Sequence, residues 1–215
     1  MKNLYYPVQY PINQNNLFGA PESYAQATGQ KGHPGVDFEC PMYTKVLAPC
    51  DGDAFSVGPD VDGGCGIYIR VPNNAKPEAN VILWHMVPAG NADYPYSIPT
   101  GRGMVTPVKA GDFLGYSGDS GYPKESSGPH LHFGYMPSDF TGAAADPNNG
   151  YDGCVDPMPF FNGIYAGNIP KLDQAIQASE EVVQAISAAP IAVQQKQTLL
   201  SILKVAWQKF LDAIL

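Results

Sequence analysis

Short apolar or alternating runs, each broken within a few residues by glycine, proline or aspartate, constrain the fold of this chain more than any other feature. The runs are Gly35–Glu39, Thr44–Ala48, Asp53–Val57, Gly66–Val71, Val81–Met86, Phe113–Ser117 and His130–Tyr135. Each is long enough for a strand and too short for a helix, and β-branched and aromatic residues fill them. The 23 glycines and 21 prolines supply turn chemistry between them. The pattern predicts a compact, mainly β domain built on an antiparallel sheet. Residues 72–80 and 88–104 read as loops, rich in Pro and Asn.

The flanks differ from this body. Residues 1–30 read as an irregular arm punctuated by Pro7, Pro11 and Pro21. The β domain then takes residues 31–166. After Gly167 the period changes: Pro170 suits a first helical turn, and Leu172, Ala175, Ile176, Val182, Val183 and Ile186 fall on one helical face. Pro190 divides this helix from a second, from about Val193 to Leu215, striped by Leu199, Leu203, Ala206, Phe210 and Ile214. Residues 167–215 are therefore expected to form a C-terminal α-helical hairpin. Its apolar face, with Trp207 and Phe210, fits packing on the β domain, self-association, docking into a virion or contact with a membrane surface.

Charge narrows the partners. The net charge is −8, and all of it lies in residues 1–166, because the tail is neutral. An acidic body argues against nucleic acid, whose phosphates need a basic surface. It gives no long-range pull toward anionic polymers either, so a substrate must be recognised at close range. The start of the chain lacks the apolar core of a secretion signal, and no stretch of about 18 apolar residues is present. Cys40, Cys50, Cys65 and Cys154 show no CxxC spacing. They read as small buried thiols rather than zinc ligands.

The chemistry lies in the histidines. There are four, His33, His85, His130 and His132. On a strand, His130 and His132 present two imidazoles to one face, about 6–7 Å apart. His33 and Asp37 would stand about 13 Å apart on a straight strand, but Pro34-Gly35 supplies a bend that brings them together. Two imidazoles and one carboxylate make three protein ligands with a fourth position open for water, which is the catalytic kind of zinc site.

At this point the residues resemble a family. Gly32-His33-Pro34-Gly35-Val36-Asp37-Phe38 and Gly128-Pro129-His130-Leu131-His132-Phe133 resemble the two metal-site elements of the lysostaphin-type (LytM-like) zinc peptidoglycan endopeptidases. Between them Thr44–Gly52, Gly64–Ile69, Leu83–Met86 and Val108–Gly118 resemble the intervening pieces in order, and Val155-Asp156-Pro157 resembles the closing turn. The resemblance covers about residues 31–158. It implies a groove over one Zn2+ held by His33, Asp37 and His132, with His130 as general base and His85 as second catalytic histidine. The implied activity is hydrolysis of peptide cross-links in bacterial peptidoglycan. The loops between Pro72 and Pro107 and the turn Gly121–Ser127 depart from the family pattern. In the resemblance these segments wall the groove, so no cross-link preference is implied.

Other readings stand beside this one. Gly118-Asp119-Ser120-Gly121 resembles a serine-protease nucleophile motif without the surroundings its histidine needs, and Asp60-x-Asp62-Gly63-Gly64 resembles a fragment of a calcium loop without the later glutamate. Both read as turns. The alternative from another class is a catalytically inactive wall-binding or virion structural module of the same fold. A wall-cutting chain without a leader needs another route to its substrate. That points to a bacteriophage lysin, in the host cytoplasm before release or carried in the virion.

Overall fold

The computed structural model describes residues 4–21, 29–60, 63–73, 76–99, 103–121, 125–139 and 141–214. Asp62, Gly101-Arg102, Tyr122-Pro123-Lys124, Leu215 and parts of the arm lie outside them. The seven expected runs all form strands, and four further strands join them. In chain order the strands are β1 (Leu4–Tyr6), β2 (Val36–Phe38), β3 (Lys45–Leu47), β4 (Gly52–Asp60), β5 (Gly64–Asn73) and β6 (Lys76–Trp84). They continue as β7 (Thr106–Val108), β8 (Phe113–Tyr116), β9 (Gly118–Ser120), β10 (Glu125–Pro137) and β11 (Phe161–Tyr165).

The main sheet runs β2-β10-β6-β5-β4-β7, all antiparallel, with β9 pairing separately to β10. Small two-stranded sheets, antiparallel β3-β8 and parallel β1-β11, stand outside it. Alternation on the strands makes the core. Ile67, Ile69 and Val71 of β5, Ala79, Val81 and Leu83 of β6, and Leu131 and Phe133 of β10 are fully buried on one face. The period of two sends His130 and His132 to the opposite face of the same strand.

Residues 72–80 correct the loop expectation. β5 extends to Asn73 and β6 begins at Lys76, with Val71 opposite Ala79 and Pro72 opposite Pro77; residues 74–75 lie outside the described residues. The buried alternation of Val81 and Leu83 extends back to Ala79, and that outweighs the low strand propensity of Pro and Asn. The arm also carries order. β1 pairs with β11, and Leu4, Val8 and Ile12 join the core, where Tyr6 packs edge-on against Phe38.

The tail forms two helices, α1 (Ile169–Ala188) and α2 (Val193–Ile214). α1 buries no residue, and Val182, Val183, Leu199, Leu200, Ile202 and Val205 are exposed. Among the described residues no helix is long and apolar enough to cross a membrane. All four cysteines are buried and free, and burial pushes the Cys154 thiol up to about 12. Asp60 accepts the Gly63 N–H at 3.2 Å, the turn contact expected there.

Candidate active site

Strand register brings the expected residues together. His132 on β10 lies directly opposite Asp37 on β2, and their side chains leave the sheet on the side away from Phe38 and Phe133. His33 reaches the same point by the turn at Pro34-Gly35. Gly35 is the residue that permits the approach. A Cβ there would meet the Phe133 carbonyl and come within 2.8 Å of the His132 ring.

Three donor atoms converge. His33 Nε2 lies 2.9 Å from His132 Nδ1 and 3.2 Å from Asp37 Oδ1, and His132 Nδ1 lies 3.1 Å from Asp37 Oδ1. A tetrahedral centre with bonds of about 2.0–2.1 Å has edges of roughly 3.3–3.4 Å, so this triangle is a few tenths of an ångström tighter than one face of such a site. All three residues are buried. Among the described residues this is the one cluster of three such groups with metal-binding spacing. The imidazole and carboxylate donors, with no thiolate among them, suit a catalytic zinc.

Electrostatics prepare these groups to bind a cation. Burial works to raise the Asp37 pKa, but bonds from His132 and His33 together outweigh it and hold the carboxyl far below the usual range. Burial lowers the His132 pKa against the pull of Asp37, which favours the neutral ring that a metal requires.

The other two histidines stand beside the triangle. The His85 and His130 rings are 4.3 Å apart between centroids, and His85 lies 6.2 Å from His132. His130 Nδ1 donates to the Gly128 carbonyl at 2.8 Å, and His85 Nδ1 donates to the Ser120 carbonyl at 2.6 Å. A carbonyl only accepts, so each Nδ1 carries a proton, and Nε2 is the nitrogen left to act as a base whenever the ring is neutral. His130 Nε2 lies 3.7 Å from Asp37 Oδ2. Burial, then the neighbouring His130 and His132, push the His85 pKa down to about 3, so its ring is neutral at physiological pH. His85 also holds a left-handed backbone, φ 59°, a strain of the kind that collects at functional sites.

Residues from the arm complete the site, and the sequence reading did not single them out. Asn16 Nδ2 donates to Asp37 Oδ2. Asn13 N–H donates to the Asp37 carbonyl at 2.8 Å, and Gly19 and Ala20 exchange two backbone bonds of 2.9 Å with His33. A cavity of about 360 Å³ opens beside Asp37, lined by Asn13, Asn16, Glu39, Pro41 and His130 among others. Only the density of Asn near the start of the chain hinted at this role.

No family model matches the sequence. Over 136 residues the chain is 31% identical to the glycyl-glycine endopeptidase ALE-1 of Staphylococcus capitis, spanning 63% of this chain and 31% of that protein. The chain is thus similar in sequence to lysostaphin-type peptidases. It is also 29% identical over 147 residues to an uncharacterized metalloprotease of Haemophilus influenzae, across 66% of this chain and 26% of the other. The solved catalytic domain of lysostaphin from Staphylococcus simulans is 27% identical, with a TM-score of 0.45, over 73% of this chain and 87% of that domain. The chain thus spans 26–31% of the length of these two curated relatives.

Proposed function

We propose that this chain is a zinc-dependent endopeptidase that hydrolyses peptide cross-links of bacterial peptidoglycan, with His33, Asp37 and His132 as the metal ligands. The observation that carries the reading is the triangle of donor atoms with two tautomer-fixed imidazoles beside it. Homology to a glycyl-glycine endopeptidase and to lysostaphin supports the substrate class.

Zinc held by the three ligands supplies a Lewis acid for the scissile carbonyl and brings a water near to ionisation at neutral pH. His130 is the general base: its Nε2 lone pair takes the proton of the attacking water and later delivers it to the leaving amine. His85, neutral and with Nδ1 committed to Ser120, accepts a hydrogen bond from that water through Nε2 and so orients it. In this state it has no N–H to offer an oxyanion, which narrows its role to positioning the nucleophile. Asn13 and Asn16 in the cavity wall offer amide donors and acceptors to a peptide backbone laid across the site.

The test is mass analysis of the products released from purified cell walls. The zinc-loaded chain should release amines from cross-linking peptides, and His130→Ala should slow this by about 10²–10⁴-fold. Near wild-type release by His130→Ala would sink the base assignment. No release by the native chain would leave the inactive wall-binding module as the reading. All five functional positions are filled by the residues such chemistry needs, which favours the enzyme. A bacteriophage role in host lysis or entry is the finer reading. Detection of the chain in purified particles, or only in late infected cells, decides between those two.

A further inference from the structure

Beyond Pro41, which lines the cavity, the chain turns sharply and presents Tyr43. Two residues of chain span at most roughly 7 Å, so the Tyr43 backbone lies within that distance of the cavity wall. Its backbone is left-handed, φ 67°, a costly conformation for a bulky aromatic residue. The turn is held rigidly. The Tyr43 N–H donates to the Ser117 carbonyl at 2.8 Å, the Thr44 N–H donates to Ser117 Oγ at 3.1 Å, and Ser117 Oγ donates to the Pro41 carbonyl at 2.7 Å. Ser117 itself is fully buried.

Among the described residues the ring so presented meets one other aromatic ring. Tyr43 stacks on Tyr94 with centroids 3.9 Å apart and planes 14° from parallel, and Tyr94 meets Tyr116 edge-on at 5.2 Å. Tyr43 nevertheless remains 44% exposed. With Tyr94 covering one face, the exposed area lies on the other face and the edge. A strained backbone, a hydrogen-bonded turn and a partly exposed aromatic ring thus occur together within a short reach of the cavity wall.

We propose that Tyr43, backed by Tyr94 and Tyr116, is a sugar-stacking subsite that takes a pyranose ring of the peptidoglycan glycan strand. A pyranose offers a row of weakly positive C–H groups on one face, which complements the negative face of a π system. Its equatorial hydroxyls stay in water or meet the phenol oxygens. Such a contact needs no long-range charge attraction, as befits a chain of net charge −8. The scale fits as well. Asp37 and Tyr43 are six residues apart, at most roughly 20 Å, and a peptide stem of three or four residues spans about 10–14 Å between glycan and cross-link.

This inference rests on the peptidoglycan reading, and its test is independent of hydrolysis. Chitotetraose is titrated into the zinc-loaded full chain, with saturation transfer from aromatic protons to sugar protons as the readout. Saturable binding with a Kd on the order of 1 mM is expected. Tyr43→Gly, which accepts the left-handed backbone without strain, should weaken it roughly fivefold, and Tyr43→Phe should stay within about twofold. Equal affinity in Tyr43→Gly, no saturable binding, or displacement of the sugar by a sugar-free cross-link peptide would overturn the subsite. Failure of the enzyme reading shows separately, as absence of product from walls treated with the same protein.

Discussion

Asp37 concentrates the competing forces of the site. Burial alone would neutralise it, yet imidazole partners keep it ionised, and the charge so stored is what a dication would discharge. His85 carries a pH signature of its own. Its pKa is about 3 in the folded chain and near 6.5 when unfolded. Between those values the unfolded state binds the extra proton, so the stabilising contribution is full above pH 6.5 and is lost as pH falls toward 3. The thermal midpoint of chelator-treated protein should therefore fall across that window. His85→Asn, which tolerates the backbone angle, should flatten the fall; an unchanged profile would show that His85 is not the sensing group. Gly35→Ala places a methyl group against the His132 ring, where repacking costs about 1–3 kcal/mol. Zinc affinity, read by competition with a chelator, should drop along with stability.

At the scale of elements, the site depends on β2 and β10 being clamped from both sides. β6 holds β10, and the arm holds β2 through Asn13, Asn16 and the Ile12 bridge to Phe38. Asn16→Ala should loosen the Asp37 carboxylate and lower zinc affinity about 10-fold, the size expected when the partner of a ligand is removed. Unchanged affinity would show that Asn16 is a bystander. Leu131→Ala, on the core face of the same strand, should instead cost about 2–5 kcal/mol of stability through its cavity. The strands that carry the histidines were legible in the sequence because alternation and turn residues mark them. β1, β7, β9 and β11 were not. They are short, and Gly118-Asp119-Ser120 has no apolar alternation, so only pairing with β10 makes it a strand. The arm was missed for a related reason: besides Leu4, Val8 and Ile12 in the core and the Asn16 bond to Asp37, it is held by backbone bonds, and backbone bonding leaves little trace in side-chain pattern.

For the whole molecule, the acidic β body and the neutral helical pair are chemically distinct. The period of α1 and α2 was readable, since 3.6-residue spacing needs no tertiary partner to be seen. Which surface covers those helices was not readable, because an amphipathic stripe looks alike on any partner. α1 buries no residue and the metal site draws on none of the tail. A chain ending after Asn168 should accordingly keep zinc content and wall hydrolysis within about twofold, as expected when distant sites are independent. Loss of either would tie the helices to the site. The most direct measurement of the central claim is elemental analysis of zinc in purified wild type, His130→Ala and His132→Ala. About one zinc per chain is expected in the first two and almost none in the third, since three ligands are the minimum for such a centre. A wild-type chain that binds no zinc when supplied with it, or a His132→Ala chain that still holds a full equivalent, would contradict the account.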